Sequence, residues 1–173
     1  MKLPKLIITD IDGVWTSGHM FYDEMGNEIK QFHTYDSAGI LFCKKLNIPV
    51  AIMTGETTNA VERRAKKLKI DYLFQGCKNK TILAQNLCKE LNITLEDVAF
   101  IGDDINDFEL MTKVGFSACP KSAPHYAFKR VHKVLDKKGG EGVFREFVEF
   151  IISESGYNID DLINSVIKRK IEQ

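Results

Sequence analysis

The chain has 173 residues, with 24 Lys plus Arg set against 24 Asp plus Glu, and it holds 4 cysteines. That length suits one domain with a full hydrophobic core, and the balanced charge supplies no net field toward nucleic acid or an anionic membrane. No apolar run approaches bilayer length and Met1–Lys5 leads straight into an apolar strand, so no membrane span or leader peptide is expected and a cytoplasmic location is. Cys43, Cys77, Cys88 and Cys119 are dispersed, with no Cys-x-x-Cys pair or histidine at zinc-ligand spacing, which predicts reduced, mostly buried thiols.

Lys5 to Gly13 reads Lys-Leu-Ile-Ile-Thr-Asp-Ile-Asp-Gly, a buried strand delivering Asp10 and Asp12 to its C-terminal end. Met20–Tyr22 and Glu28–Thr34, separated by Asp23–Asn27, predict a β-hairpin. Asp36 is placed to cap a helix through about Leu46, and Ile48–Met53 reads as a strand ending at Thr54-Gly55. A basic amphipathic helix follows over Thr57–Lys69, then a strand over Asp71–Phe74 and a helix from Asn79 or Lys80 to about Leu91. Val98–Ile101 is the next strand and enters Gly102-Asp103-Asp104; helical character over Asp104–Val114, a strand over Gly115–Cys119 and a helix start at Ser122-Ala123-Pro124 complete the alternation. Gly139–Gly142 reads as a flexible break and Val143–Ser153 as the last core helix. Beyond Gly156, Ile159, Leu162, Ile163, Val166, Ile167 and Ile171 keep helical spacing, so a tail over 154–173 should pack on the 1–153 domain or on a neighbouring subunit. Strand–helix alternation calls for an α/β, doubly wound parallel sheet with right-handed crossovers.

Several strand ends carry residues suited to a phosphate site: Asp10 and Asp12 after the first, Thr54 after the second, Asp103 and Asp104 after the fourth. Such ends form the ligand crevice of an open α/β sheet. Close carboxylates repel, and an oxygen-coordinated divalent cation relieves them, so magnesium-assisted phosphoryl transfer is the sharp reading. Lys80 adds a cation at the same rim, and Asp107 is placed to orient it. Taken singly, Thr54 reads equally as a turn or cap residue and Lys80 as a solvated lysine.

As an ordered set, Asp10-Ile-Asp12-Gly13-Val14, Thr54-Gly55, Lys80 and Gly102-Asp103-Asp104-Ile105-Asn106-Asp107 resemble the four motifs of the haloacid dehalogenase superfamily. Over about Lys2 to Ile152, with Asp36-Ser37-Ala38-Gly39 and Gly139–Glu146, the chain resembles the capless phosphatases of 2-keto-3-deoxy sugar acid phosphates. The resemblance implies a Rossmann-like core with a hairpin insertion at 14–35 and no cap domain. It implies Asp10 as nucleophile and Asp12 as general acid and base. Mg2+ would bind the Asp10 and Asp103 carboxylates and the Asp12 carbonyl, Thr54 and Lys80 would hold the phosphoryl oxygens, and Asp104 and Asp107 would support them. A homotetramer is implied, with neighbouring subunits closing each site and the apolar hairpin residues Trp15, Met20, Phe21, Tyr22 and Phe32 incompletely buried in one subunit.

Thr54-Gly55-Glu56 departs from the Thr-Gly-Arg typical of octulosonate 8-phosphate phosphatases and looks like the version in nonulosonate 9-phosphate relatives. Those relatives implicate Glu56, Arg64 and Lys67 in holding the sugar acid, so a nonulosonate 9-phosphate is the expected substrate and the octulosonate the alternative. From residues alone, Arg63–Lys67 is a solvated helix face. Ser17 stands where the family usually has Asp, and Arg145 either reaches a neighbour's substrate or caps its own helix. His19, His33, His125 and His132 share no spacing for a metal or triad.

Two readings compete from other classes. A signalling receiver domain also combines acidic residues, a hydroxyl and a lysine, but places its phosphorylated aspartate after the third strand and its lysine after the fifth. A silent scaffold would retain the fold without turnover, against which stand the intact Asp10, Asp12, Lys80 and Asp103.

Overall fold

A computed structural model describes residues 1–171, with side chains to residue 167. In chain order its strands are β1 (Leu6–Thr9), β2 (Phe21–Tyr22), β3 (Glu28–Ile29), β4 (Val50–Met53), β5 (Tyr72–Phe74), β6 (Val98–Ile101), β7 (Phe116–Cys119) and β8 (Lys133–Val134). Its helices are α1 (Asp36–Lys45), α2 (Asn59–Leu68), α3 (Lys80–Glu90), α4 (Phe108–Met111), α5 (His125–Phe128), α6 (Val143–Glu154) and α7 (Ile159–Ile171). Six strands form one sheet in the order β5-β4-β1-β6-β7-β8, all pairs parallel, and β2 pairs with β3 antiparallel as a separate hairpin.

β1 is the central strand, flanked by β4 and β6, and this is where the strand order reverses and an open α/β sheet forms its crevice. Successive side chains face opposite ways along a strand. Leu6 and Ile8 therefore pack with Met53, Phe100, Ala84 and Leu87 beneath α3, α4 and α5. Ile7 packs with Ile52, Ile101, Ile40, Phe144 and Phe147 beneath α1, α2 and α6. Both faces are covered, which is why the strands read as continuous apolar runs.

The amphipathic tail settles on its own subunit: Leu162 is buried and Ile159, Ile163 and Val166 pack against the second of these cores. Ile171 of the same pattern lies outside the described side chains. The four cysteines are free and buried, and among the described residues no helix is long and apolar enough to cross a membrane.

Several local expectations are corrected. Asp36 does not cap α1: Tyr35 is the N-cap and makes no side-chain cap bond, while the buried Asp36 carboxylate accepts from the Arg145 amide in the first turn of α6 at 3.1 Å and fastens α6 to α1. α2 begins later than expected because Thr58 caps it, its side chain accepting from the Val61 amide. Asp104–Val114 is a 3-10 turn, Ile105–Asp107, followed by the single turn of α4. β8 is two residues long and carries no periodicity from which to read it.

Gly139 and Gly140 form a close packing point rather than a flexible break. The Gly140 amide donates to the Val14 carbonyl at 2.9 Å, and a side chain at Gly139 would collide with the Gly13 carbonyl.

The hairpin is shorter than predicted. Its turn is set by Asp23, whose Oδ1 accepts from the Met25 and Asn27 amides, with Gly26 at φ +82°. Its second strand stops at Ile29, and the side chain of the next residue, Lys30, reaches Asp12. Trp15 departs from the expected exposed set: it is fully buried, donates through Nε1 to Thr9 Oγ1 at 2.9 Å and packs 4.7 Å from Phe144. Phe32 packs partly buried against the core, while Met20, Phe21 and Tyr22 are exposed, together with Met25 and Ile29.

Candidate active site

Three strand ladders run one residue past their strands and so fix the site's backbone. The Asp10 amide donates to the Ile101 carbonyl at 3.0 Å, Thr54 to Phe74 at 3.1 Å and Gly102 to Ala118 at 3.3 Å. Asp10, Asp12, Thr54, Glu56, Asp103 and Asp104 consequently line one cavity of about 310 Å³, walled on the hairpin side by Gly18 and Met20. Two glycines permit the close approach. Gly13 has φ +79° and a side chain there would strike the Asp103 carboxylate; one at Gly102 would strike that of Asp107.

Beneath the cavity Lys80 is 2% exposed and contacts two carboxylates, Asp107 Oδ1 at 2.6 Å and Asp10 Oδ2 at 2.9 Å. Asn79 caps α3 at this point, accepting from the Ile82 amide, so the helix start aims Lys80 at the sheet. Asp107 Oδ2 accepts from the Asp103 and Asp104 amides at 2.9 and 3.3 Å, which ties the acidic loop to the lysine. The second Asp10 oxygen accepts from the Ile11 amide at 2.7 Å.

Burial, then the Asp107 charge, pushes the Asp10 carboxyl upward despite Lys80. Burial, then Asp10, Asp107 and Asp104, raises the Asp103 carboxyl to about 8. Burial pulls the Lys80 ammonium down, but Asp10 and Asp107 outweigh it and the net shift is upward. One buried ammonium thus serves a crowd of carboxylates that it does not neutralise.

Oxygens of Asp10, Asp103 and Asp107 lie within 4.8 Å of one another. Asp107 lies beneath the cavity with its oxygens on Lys80 and two amides, while Asp10 and Asp103 line it. Asp104 Oδ1 accepts from the Ile105 amide and caps the following turn.

The residues suggested for sugar binding separate. Glu56 lines the cavity, whereas Arg64, Lys67 and Arg145 do not line it in this subunit. Arg64 donates to the His33 carbonyl at 3.2 Å and lies over Phe32 and Trp15. Lys67 lines a different cleft between α1, α2 and α7. Arg145 pairs with Glu149 at 2.7 Å along α6, so it does not cap its own helix. Ser17, at the family's Asp position, lies 2.8 Å from His19 Nδ1.

Lys30 is the site residue that sequence reasoning missed. It contacts both Asp12 oxygens at 2.7 and 2.9 Å. Its signal was the Glu28-x-Lys30 spacing, which puts opposite charges on one face of a strand.

A 3-deoxy-D-manno-octulosonate 8-phosphate phosphatase of Haemophilus influenzae is 37% identical over 152 residues, 88% of this chain and 84% of that protein. The chain belongs to the haloacid dehalogenase-like hydrolases. The family model described as haloacid dehalogenase-like hydrolase matches residues 75–147. Among solved structures, a probable yrbi family phosphatase of Pseudomonas syringae superposes with a TM-score of 0.91 at 38% identity, covering 96% of this chain and 93% of that one. The octulosonate 8-phosphate phosphatase of Moraxella catarrhalis, solved with magnesium, phosphate and the octulosonate, gives 0.90 at 33% identity, covering 95% and 94%. This haloacid dehalogenase-family chain is a phosphatase, with the α/β sheet of the family and, between Gly13 and β4, only the hairpin and α1.

Proposed function

We propose that this phosphatase hydrolyses the phosphomonoester of a 2-keto-3-deoxy sugar acid, using magnesium and an aspartyl phosphate on Asp10. The observation that carries the reading is the setting of Asp10: one oxygen on Lys80, the other on the Ile11 amide, and Asp103 beside it in the cavity. A pair of crowded carboxylates, both raised by burial and then by a neighbouring carboxylate, Asp107 for Asp10 and Asp10 for Asp103, is a hard-oxygen donor set that suits Mg2+. Asp10 and Asp103 would hold the ion, with the Asp12 carbonyl, and its charge would let an anionic nucleophile meet an anionic ester.

In the first half-reaction an Asp10 oxygen attacks phosphorus, the ester P–O bond breaks, and Asp12 gives its proton to the leaving alkoxide. In the second, Asp12 takes a proton from water, the water oxygen attacks phosphorus, and the bond to Asp10 breaks to release phosphate. Lys80 and Thr54 stabilise the charge that spreads over the phosphoryl oxygens. Two acids serve because nucleophile and proton carrier are separate tasks.

The relatives' names favour the eight-carbon octulosonate 8-phosphate. Glu56 favours a nonulosonate 9-phosphate, since Thr54-Gly55-Glu56 resembles the form in the nonulosonate relatives and a carboxylate lining the cavity can accept from hydroxyl or amine groups. We keep the nine-carbon acid as substrate on that ground. The exposed Met20, Phe21, Tyr22, Met25 and Ile29 support a homotetramer joined through hairpins, in which Arg64, Lys67 and Arg145 would serve a neighbouring site. Phosphate release from the two sugar acid phosphates, with magnesium and with EDTA, tests the reading. A higher kcat/KM on the nine-carbon ester supports Glu56 as selector, and a higher value on the eight-carbon ester overturns that choice. Turnover that survives EDTA would overturn the metal.

A further inference from the structure

One buried cation in the hairpin has no part in the reaction as derived so far. The Lys30 side chain is 2% exposed, and Nζ lies 2.7 and 2.9 Å from the two Asp12 oxygens and 2.6 Å from Glu28 Oε1. The two Asp12 contacts are hydrogen bonds, whereas the Glu28 contact is an ion pair without hydrogen-bond geometry. Thr16 Oγ1 donates to Asp12 Oδ1 at 3.2 Å, so the carboxylate is held from two sides.

Burying a lysine costs solvation and rotamer freedom, and an apolar residue at such a position usually serves stability as well or better. Stability alone therefore does not account for this residue. Its contacts do: among the described residues Lys30, from the hairpin, is the cation paired with Asp12, while Lys80 is committed to Asp10 and Asp107.

We propose that Lys30 is a positioning residue for Asp12, holding the carboxylate that forms as its proton passes to the leaving alkoxide and so fixing the orientation of that transfer. The proposal rests on the acid and base role given to Asp12 above. A carboxyl turns about two soft torsions, and a proton donor displaced by about 1 Å loses on the order of 10²-fold in rate. Because Lys30 follows β3, the hairpin must be seated for the acid to be aimed. Capless folds otherwise lack a part that closes over the site, and here the hairpin supplies the link between an outer segment and the proton carrier.

The test compares Lys30→Met and Lys30→Arg with the parent enzyme on two esters: the better sugar acid phosphate, whose alkoxide needs a proton to leave, and 4-nitrophenyl phosphate, whose phenolate does not. The ratio of kcat/KM for the two esters is read on each preparation, so a partly unfolded sample cancels. Lys30→Met should lower the sugar ester by about 10²-fold relative to the aryl ester, the range of a general acid, and Lys30→Arg should recover part of that ratio. An unchanged ratio, with both activities falling together or neither falling, overturns the proposal and makes Lys30 a structural residue. Asp12→Asn serves as the reference. If it leaves the ratio unchanged, the acid role of Asp12 fails, and that failure is distinct from one confined to the lysine variants.

Discussion

Asp36→Asn tests whether the buried contact between α1 and α6 is set by desolvation. Asp36 is fully buried, Oδ1 accepts from the Arg145 amide, and Oδ2 has no hydrogen-bond partner. Burial raises its carboxyl from 3.8 to about 6, against the Arg145 amide and the more distant Arg64 charge. A folded pKa above the unfolded one means that the native state binds the proton more tightly. The contribution is therefore fully present below about pH 4 and lost as pH rises through about 6. The rise from 3.8 to about 6 corresponds to about 3 kcal/mol. Asn keeps an acceptor for the Arg145 amide and does not titrate. Its NH2 group then occupies the unpartnered position, a constant cost of about 1–3 kcal/mol. The stability of the variant minus that of the parent, from urea unfolding at fixed ionic strength, should rise by about 2.4 kcal/mol between pH 4 and pH 7.5. Other titrating groups are common to both proteins and cancel in the difference. Parallel pH profiles would refute the reasoning, because they would mean that Asp36 is ionised without penalty.

Three further outcomes follow from the active-site geometry. Asp10→Asn should abolish phosphate release while leaving the far-ultraviolet circular dichroism unchanged, and should raise the stability of the metal-free protein, since burial and Asp107 disfavour the carboxylate it removes. Gly13→Ala should weaken magnesium activation by at least about tenfold, read as the Mg2+ concentration for half-maximal turnover, because a left-handed backbone and the Asp103 carboxylate both oppose the added methyl. Magnesium at about a hundred times its Kd should stabilise the folded chain by about 2.7 kcal/mol, and Asp103→Asn should remove most of that increment in thermal unfolding.

The sheet was readable because its signals are local. β1, β4 and β6 are short apolar runs closed by Asp10, Thr54 and Gly102, and the residues after those runs fall at one rim because the strands are parallel. Asp10, Asp12, Thr54, Asp103 and Asp104 accordingly meet in one cavity. Lys80 and Asp107 were placed by a different local rule, the capped start of α3 and the turn after β6. What sequence did not disclose are polar contacts made across long separations. Asp36 is 109 residues from its partner Arg145, and nothing in Asp36-Ser37-Ala38-Gly39 separates a helix cap from an interhelical acceptor. Gly139 and Gly140 carry the same composition whether they hinge or press against a neighbouring loop, and only the position of the Gly13–Ser17 segment decides it.

The hairpin shows why an insertion that looks peripheral in sequence bears on the chemistry. Its strands are two residues each, too short to be stable alone, so its place is fixed by what its side chains reach. Outward, Phe21 and Tyr22 present apolar surface. Inward, Lys30 joins Asp12 and Glu28. A subunit interface formed on the outer side would hold the inner side against Asp12, and assembly would then raise activity through the acid and base rather than through new contacts with the phosphate. Dilution that dissociates the assembly should therefore slow esters with poor leaving groups more than aryl esters, whereas equal loss on both would mean that the interface acts on phosphate binding instead.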